Sequence, residues 1–239
     1  MICKIDIINP DITIQDKPLK QVTPAMQDSY RKHVKALLEI GIIRPSQSRH
    51  RTMAILVNSG STIDPVTKKV IHGKERLVFD YRKVNNNSHK DQYSLPGINT
   101  LIKRIGNSKI YSKFDLKSGF HQIAMDPDSI PWTAFIVPDG LYEWLVMPFG
   151  LKNAPAIFQR KMDDCFKGTE EFIVAYIDDI LIYSSNLQEH RNHLDIFFKI
   201  CQEKGLVLSK EKMIIGVQEI EFLGAVITST SYNKENNRI

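Results

Sequence analysis

The chain has 239 residues, 42% hydrophobic and 25% charged, with a mean hydropathy of −0.23. That composition supports one large or two small folded domains and excludes disorder along the whole length. A net charge of +5 and a pI of about 9.0 suit a polyanionic partner without demanding one, while three scattered cysteines (Cys3, Cys165 and Cys201, with no CxxC pair) exclude a disulfide framework and a thiolate zinc site.

Residues 1–24 alternate apolar and polar positions around Pro10, Pro18 and Pro24 and read as an extended arm without the features of a signal peptide. Met26, Tyr30, Val34, Leu37, Leu38 and Ile40 recur at helical spacing, so 25–41 is a helix stopped by Gly41. TMAILVN (52–58) and RLVFDY (76–81) are strands joined by a long, turn-rich loop carrying Lys68, Lys69 and Lys74. A short helix spans 98–105, and IYSKFDL (110–116) is a strand. TAFIVP (133–138) and LYEWLVM (141–147) form a hairpin turning at Asp139-Gly140. A helix covers 153–166, and FIVAY (172–176) and ILIYS (180–184) flank Asp178-Asp179 as a second hairpin. A long amphipathic helix (187–205) ends at Gly205, followed by short strands LVLS (206–209) and IEFLGAVI (220–227) and a polar tail. Strands and helices mix without strict alternation, which predicts an α+β fold with an antiparallel sheet. No run approaches the roughly 20 apolar residues that cross a bilayer, so no membrane partner is expected.

The chemistry concentrates at FIVAYIDDILIYS. Two acids between strongly apolar strands need a compensating cation. Magnesium suits the place, since it takes a few carboxylate oxygens and substrate phosphates. An acidic pair is also a common turn, however, and Asp163-Asp164 is a second pair that reads as a solvated helix face. Asp115, near the end of its own strand, can join the hairpin tip if the strands neighbour one another. Because side chains alternate along a strand, Asp178 and Asp179 are expected to do different jobs. His190 and His193 near Asp195 lack further ligands and sit on a polar helix face, which disfavours zinc.

These residues carry a resemblance. Tyr176-Ile177-Asp178-Asp179 fits the YxDD motif of reverse transcriptases, and KFDLKSGFHQI fits the segment bearing their first catalytic aspartate. MPFGLKNAPAIFQ (147–159) looks like the block shared by Ty3-type retrotransposons and plant pararetroviruses. KALLEIGIIRPSQSRH (35–50), RLVFDYRKVN (76–85) and EFLGAVI (221–227) match in order, so the resemblance covers about 18–227. It implies the fingers and palm of a right-hand polymerase, with an antiparallel palm sheet backed by helices. The arm and fingers would take 1–89, the palm 90–122, further fingers 123–153, and the palm with its primer-grip segment 154–239. The family's thumb, connection and RNase H do not fit in the residues after 227, so the natural context implied is a polyprotein with RNase H.

Carried onto this chain, the resemblance makes Asp115, Asp178 and Asp179 catalytic. It has them hold two Mg2+ ions, or Mn2+ in their place, beside Leu116. Arg76, Ser118, Gly119, Phe120 and Phe149 would contact the incoming nucleotide, Ser118 and Gly119 through backbone N–H groups. Arg76 would use its planar donors on the triphosphate, and Phe120 would exclude the sugar 2′-OH. Leu223 and Gly224 would form the primer grip, and Tyr176 belongs to the motif. The basic loop leaves the choice among Lys68, Lys69 and Lys74 open. Phe149 departs from the Gln of retroviral enzymes but is usual in the Ty3-like branch. The implied partners are an RNA or DNA template with its primer and dNTPs, in the cytoplasm or in virus-like particles of the host cell. Two other readings compete. A viral RNA-dependent RNA polymerase also carries paired Asp in its palm, but Ile177 stands where that family has Gly. A truncated, inactive nucleic-acid-binding module would have no need of three acids.

Overall fold

A computed structural model describes residues 2–58, 60, 62–63, 65–68, 70–71, 73–106, 108–229 and 232–234. In chain order the elements are β1 (Ile2–Cys3), α1 (Pro24–Ile40), β2 (Ile43–Pro45), β3 (Thr52–Asn58), β4 (Thr62–Ile63), β5 (Val70–Ile71), β6 (Glu75–Phe79), α2 (Arg82–Asn86), α3 (Ile98–Ile105) and β7 (Ile110–Asp115). There follow β8 (Ala124–Met125), β9 (Phe135–Val137), β10 (Gly140–Trp144), α4 (Ala154–Cys165), β11 (Ile173–Tyr176), β12 (Asp179–Ser184), α5 (Leu187–Lys204), β13 (Ile214–Val217), β14 (Glu219–Phe222), β15 (Ala225–Thr228) and β16 (Tyr232–Lys234). The chain divides into two compact units, residues 1–90 with 123–154 and residues 91–122 with 155–239.

The first unit is built on a five-stranded sheet ordered β2-β10-β9-β3-β6, in which only β3 and β9 run parallel. Helix α1 starts where Thr23 accepts a hydrogen bond from Met26 N and stops where Gly41 turns left-handed at φ 79°. Aromatic rings fill the sheet's inner face: Phe79 lies 4.7 Å from Phe135 and 5.2 Å from Trp144. Each such pair adds about 0.5–1.5 kcal/mol beyond the area it buries. Asn85, from the short helix α2, donates to Gly150 O and accepts from Lys152 N, both at 2.8 Å. That clamp ties the RLVFDYRKVN block to the MPFGLKN block. Gly150 needs its glycine twice over, at φ +97° and with an added Cβ 3.3 Å from Phe79 O.

The second unit carries a four-stranded, wholly antiparallel sheet ordered β11-β12-β7-β13. One face packs on α5, where Phe114 meets Phe197 at 4.6 Å. The other face carries Tyr111, Val174, Leu181 and Tyr183 into a core shared with Leu101 and Ile105 of α3 and with Ile220, Phe222 and Ile227. Tyr176 and Leu223 pack against the same core. The fold is therefore α+β, with helices behind an antiparallel sheet.

Several elements differ from the sequence expectation. The β9–β10 turn is Pro138-Asp139, because Gly140 already pairs with Val137. LVLS forms no strand and makes only a single bridge, Leu116 to Leu208. IEFLGAVI is a hairpin, not one strand: Leu223 and Gly224 both have positive φ (52° and 72°), the backbone of a two-residue turn. Helix α2 and strand β13 were not expected at all. Among the described residues no helix is long and apolar enough to cross a membrane.

Candidate active site

Strand alternation builds the site. In the β7–β12 pairing Tyr183 stands opposite Tyr111, Leu181 opposite Lys113, and Asp179 opposite Asp115. These pairs share a face, since every second side chain points the same way. The face is covered by α3 and the β14–β15 hairpin at one end and carries two facing carboxylates at the other. Like charges directly opposite on neighbouring strands destabilise the sheet unless a cation answers them.

The β11–β12 turn supplies the third acid. Tyr176 pairs with Asp179, so the turn is Ile177-Asp178, and Ile177 is left-handed at φ 52°. A β-branched residue there is strained by about 1–3 kcal/mol, a feature that concentrates at functional sites. Asp178 O accepts from Leu116 N at 3.3 Å, which ties the turn to the end of β7. Asp178 Oδ1 is buried and, among the described residues, has no hydrogen-bond partner. It lies where a Cβ on Gly119 would fall, 2.5 Å away, with Phe158 Cζ at 2.9 Å. Glycine is thus the residue that leaves room for the carboxylate.

The charges are strained electrostatically. Burial, then the Asp115 and Asp179 carboxylates, push the Asp178 carboxyl up to about 6, with Lys212 opposing. Burial likewise raises Asp179, opposed by Lys113. Lys212 Nζ lies 2.7 Å from Asp115 Oδ2, and its own pKa is raised by that hydrogen bond. The segment bearing Lys212 is docked by Lys117 N donating to Val207 O and Ser209 N donating to Asp115 O.

A divalent cation fits this donor set. Among the described residues no group of three or more His, Cys, Asp or Glu side chains is arranged to hold a metal ion by itself. Magnesium asks for less: one or two carboxylates, with water and substrate phosphates completing the shell. The partnerless Asp178 oxygen and the Asp115–Asp179 pair offer that.

The other expected site residues divide between the units. Ser118 is exposed at φ 49°, and its carbonyl accepts from His121 N at 2.8 Å. Phe120 is half-buried, 5.4 Å from Phe158, on the 3-10 turn Gly119–Gln122. Leu116 is buried. Leu223 and Gly224 form the β14–β15 turn. Arg76 (exposed, on β6) and Phe149 (49% exposed) belong to the first unit, so the second does not supply them. Lys68 and Lys74 lie in the β3–β6 connection, both exposed, and Lys69 lies outside the described residues.

Two expectations are corrected by the structure. His190 is not on a polar face. It is buried between Ser112 and Ser184, at 2.7 and 2.8 Å, while His193 stacks on Phe172. Asp163 is not merely solvated either, because it accepts from Gln159 and from Tyr93. Gln159 itself was missed; its signal was a fully polar side chain inside an apolar helix stripe.

Three aspartates thus meet on a hairpin tip and its neighbouring strand, above an antiparallel sheet backed by helices. Residues 66–227 match the family described as reverse transcriptase (RNA-dependent DNA polymerase), and the chain belongs to it. The chain is 58% identical over 228 residues to Polyprotein P3 of Commelina yellow mottle virus, covering 95% of this chain and 12% of that protein. It is 38% identical over 237 residues to the enzymatic polyprotein of cauliflower mosaic virus (strain Strasbourg), covering 99% of this chain and 34% of that one. The chain therefore spans well under half the length of these curated relatives. Among solved structures, the foamy viral protease-reverse transcriptase in complex with RNA/DNA hybrid superposes with a TM-score of 0.81 at 25% identity, over 98% of this chain and 30% of that one. The same protein in its dRH form with double-stranded DNA gives 0.81 at 26% identity, over 98% and 39%.

Proposed function

We propose that this chain is the fingers-and-palm part of a pararetroviral DNA polymerase that copies RNA or DNA by adding deoxynucleotides to a primer 3′ end. Asp115 facing Asp179, beside the buried, partnerless oxygen of Asp178, is the observation that carries the reading. Asp115 and Asp178 would hold two Mg2+ ions with the Leu116 carbonyl beside them, and Asp179 would tune the site from the strand. When bound, the ions would activate the 3′-hydroxyl and stabilise the departing pyrophosphate. The first unit corresponds to the fingers and the second to the palm. Arg76 would clamp the triphosphate from the fingers, where Phe149 also lies. The Ser118–Gly119 backbone would lie beneath the triphosphate, and Phe120 would press on the sugar where a 2′-OH would stand. Leu223 and Gly224 would bear on the primer strand. The foamy viral protein is seen in complex with RNA/DNA hybrid and with double-stranded DNA, and the same duplexes are proposed as this chain's partners. It would act within a polyprotein that also carries RNase H, in the cytoplasm or in virus-like particles.

Primer extension on poly(rA)/oligo(dT) with magnesium tests the reading. Extension by the chain, abolished by Asp178→Asn, supports it. Normal template binding with no extension refutes the activity and leaves a polymerase-derived binding module.

A further inference from the structure

The YIDD turn lies at the end of β11, which is the outer strand of its sheet. The backbone groups on the outer side of an edge strand have no strand partner. Ala175 O and Ile177 N flank Tyr176 in the way two groups of one strand meet a neighbour. Both are taken by one side chain. Gln159 of α4 accepts from Ile177 N at 2.7 Å through Oε1 and donates to Ala175 O at 3.0 Å through Nε2. A planar primary amide presents one acceptor and one donor side by side, as a peptide group does, so Gln159 stands in for the missing strand.

The other Nε2 proton goes to Asp163 Oδ1 at 2.9 Å. A carboxylate only accepts and a backbone N–H only donates, so this bond also sets which end of the amide faces Ile177. Asp163 in turn receives the Tyr93 hydroxyl on its other oxygen. Arg160 lies 4.7 Å above the Tyr93 ring and pairs with Asp91 at 2.7 Å. A continuous path thus runs from Tyr93 through Asp163 and Gln159 to the strained Ile177 peptide, next to Asp178. Gln159 is 0% exposed, so water does not substitute for it.

We infer that Gln159, oriented by Asp163, is a positioning residue: it holds the left-handed Ile177 backbone and thereby aims the Asp178 carboxylate at its metal. This rests on the polymerase reading for its catalytic consequence but not for its geometry. Partners that orient metal ligands typically change metal affinity or activity by about 10–100-fold when removed.

The test compares Gln159→Leu, Gln159→Glu, the swap Gln159→Glu with Asp163→Asn, and the exposed neighbour Asp164→Asn as control. Four quantities are read on each: hydrogen exchange at the Ile177 amide, Mn2+ affinity by electron paramagnetic resonance, primer-extension kinetics and melting temperature. Gln159→Leu should expose the Ile177 amide and weaken Mn2+ binding by about 10-fold or more. It should lower kcat by a similar factor while KM for dNTP and template affinity hold within about three-fold. Gln159→Glu puts acceptors against Ala175 O and Asp163, and should behave alike. In the swap, the amide introduced at position 163 donates to the carboxylate introduced at position 159 while Ala175 O still faces an acceptor, so part of the Mn2+ affinity lost in Gln159→Glu should return. Asp164→Asn should match the parent. Unchanged Ile177 exchange, or unchanged Mn2+ affinity with the amide exposed, overturns the inference. So does a kcat loss fully matched by a fall in melting temperature that the swap does not repair. A parent chain that binds Mn2+ but extends no primer refutes the polymerase reading alone, because exchange and Mn2+ affinity still judge Gln159.

Discussion

Gly119→Ala adds one methyl group at the tightest point of the site. The new Cβ would sit 2.5 Å from Asp178 Oδ1 and 2.9 Å from Phe158 Cζ, where ordinary contact begins at 3.4 Å. Either the carboxylate or the 3-10 turn must retreat by about 0.9 Å. The Phe158 ring cannot yield easily, being fully buried. Overpacking of this kind costs about 1–3 kcal/mol, or about 2–12 °C in Tm for a chain of this size. A displacement near 1 Å in a reacting constellation costs about 100-fold, which is roughly 2.7 kcal/mol in the barrier. We therefore expect kcat to fall about 100-fold and Mn2+ affinity to fall with it. Gly205→Ala provides the contrast, since φ there is +66° and an added Cβ meets nothing within 4 Å. It should cost about 1 kcal/mol of stability and leave kcat unchanged. Steady-state primer extension and thermal melting, run on both variants, measure the difference. If Gly119→Ala retained kcat within about three-fold, the Asp178 carboxylate would not occupy the position on which the site depends.

Other outcomes follow from the same electrostatics. The folded-state pKa of Asp178, about 6, lies above the ordinary carboxylate value, so the metal-free protein takes up a proton that the unfolded chain does not. This contribution favours the folded state most at low pH and is lost as pH rises through about 6. Asp178→Asn should accordingly raise the metal-free melting temperature at pH 8 while abolishing Mn2+ binding and extension. Lys212→Met should move the Asp178 carboxyl titration, followed by 13C NMR, to higher pH, since Lys212 is the charge that lowers it. A titration that stays in place would show that the Lys212–Asp115 pair does not reach Asp178. Phe120→Val should raise ribonucleotide incorporation relative to deoxynucleotide, and an unchanged ratio would remove Phe120 from sugar selection.

Much of this protein is legible in its sequence because local patterns dictate local structure. Apolar spacing and a terminal glycine mark α1 and α5, the Ile98–Ile105 helix has an uninterrupted stripe, and the strands around Asp178-Asp179 are too apolar to be anything but buried. Motif order identifies the family from residues alone. Tertiary pairing decided the rest. Only the register of β7 against β12 sets Asp179 opposite Asp115, because a shift of one residue would send one acid to the other face. Two αL residues turned IEFLGAVI back on itself, a conformation that an apolar run does not announce. The standing of Asp163 and Gln159 also came from the fold: a helix pattern counts Asp163 as solvent-facing and cannot show that an edge strand beside it lacks a neighbour. The three acids were visible from the start. What surrounds Asp178, a glycine without a Cβ and a buried amide in place of a strand, depends on atoms that meet only when distant segments pack together.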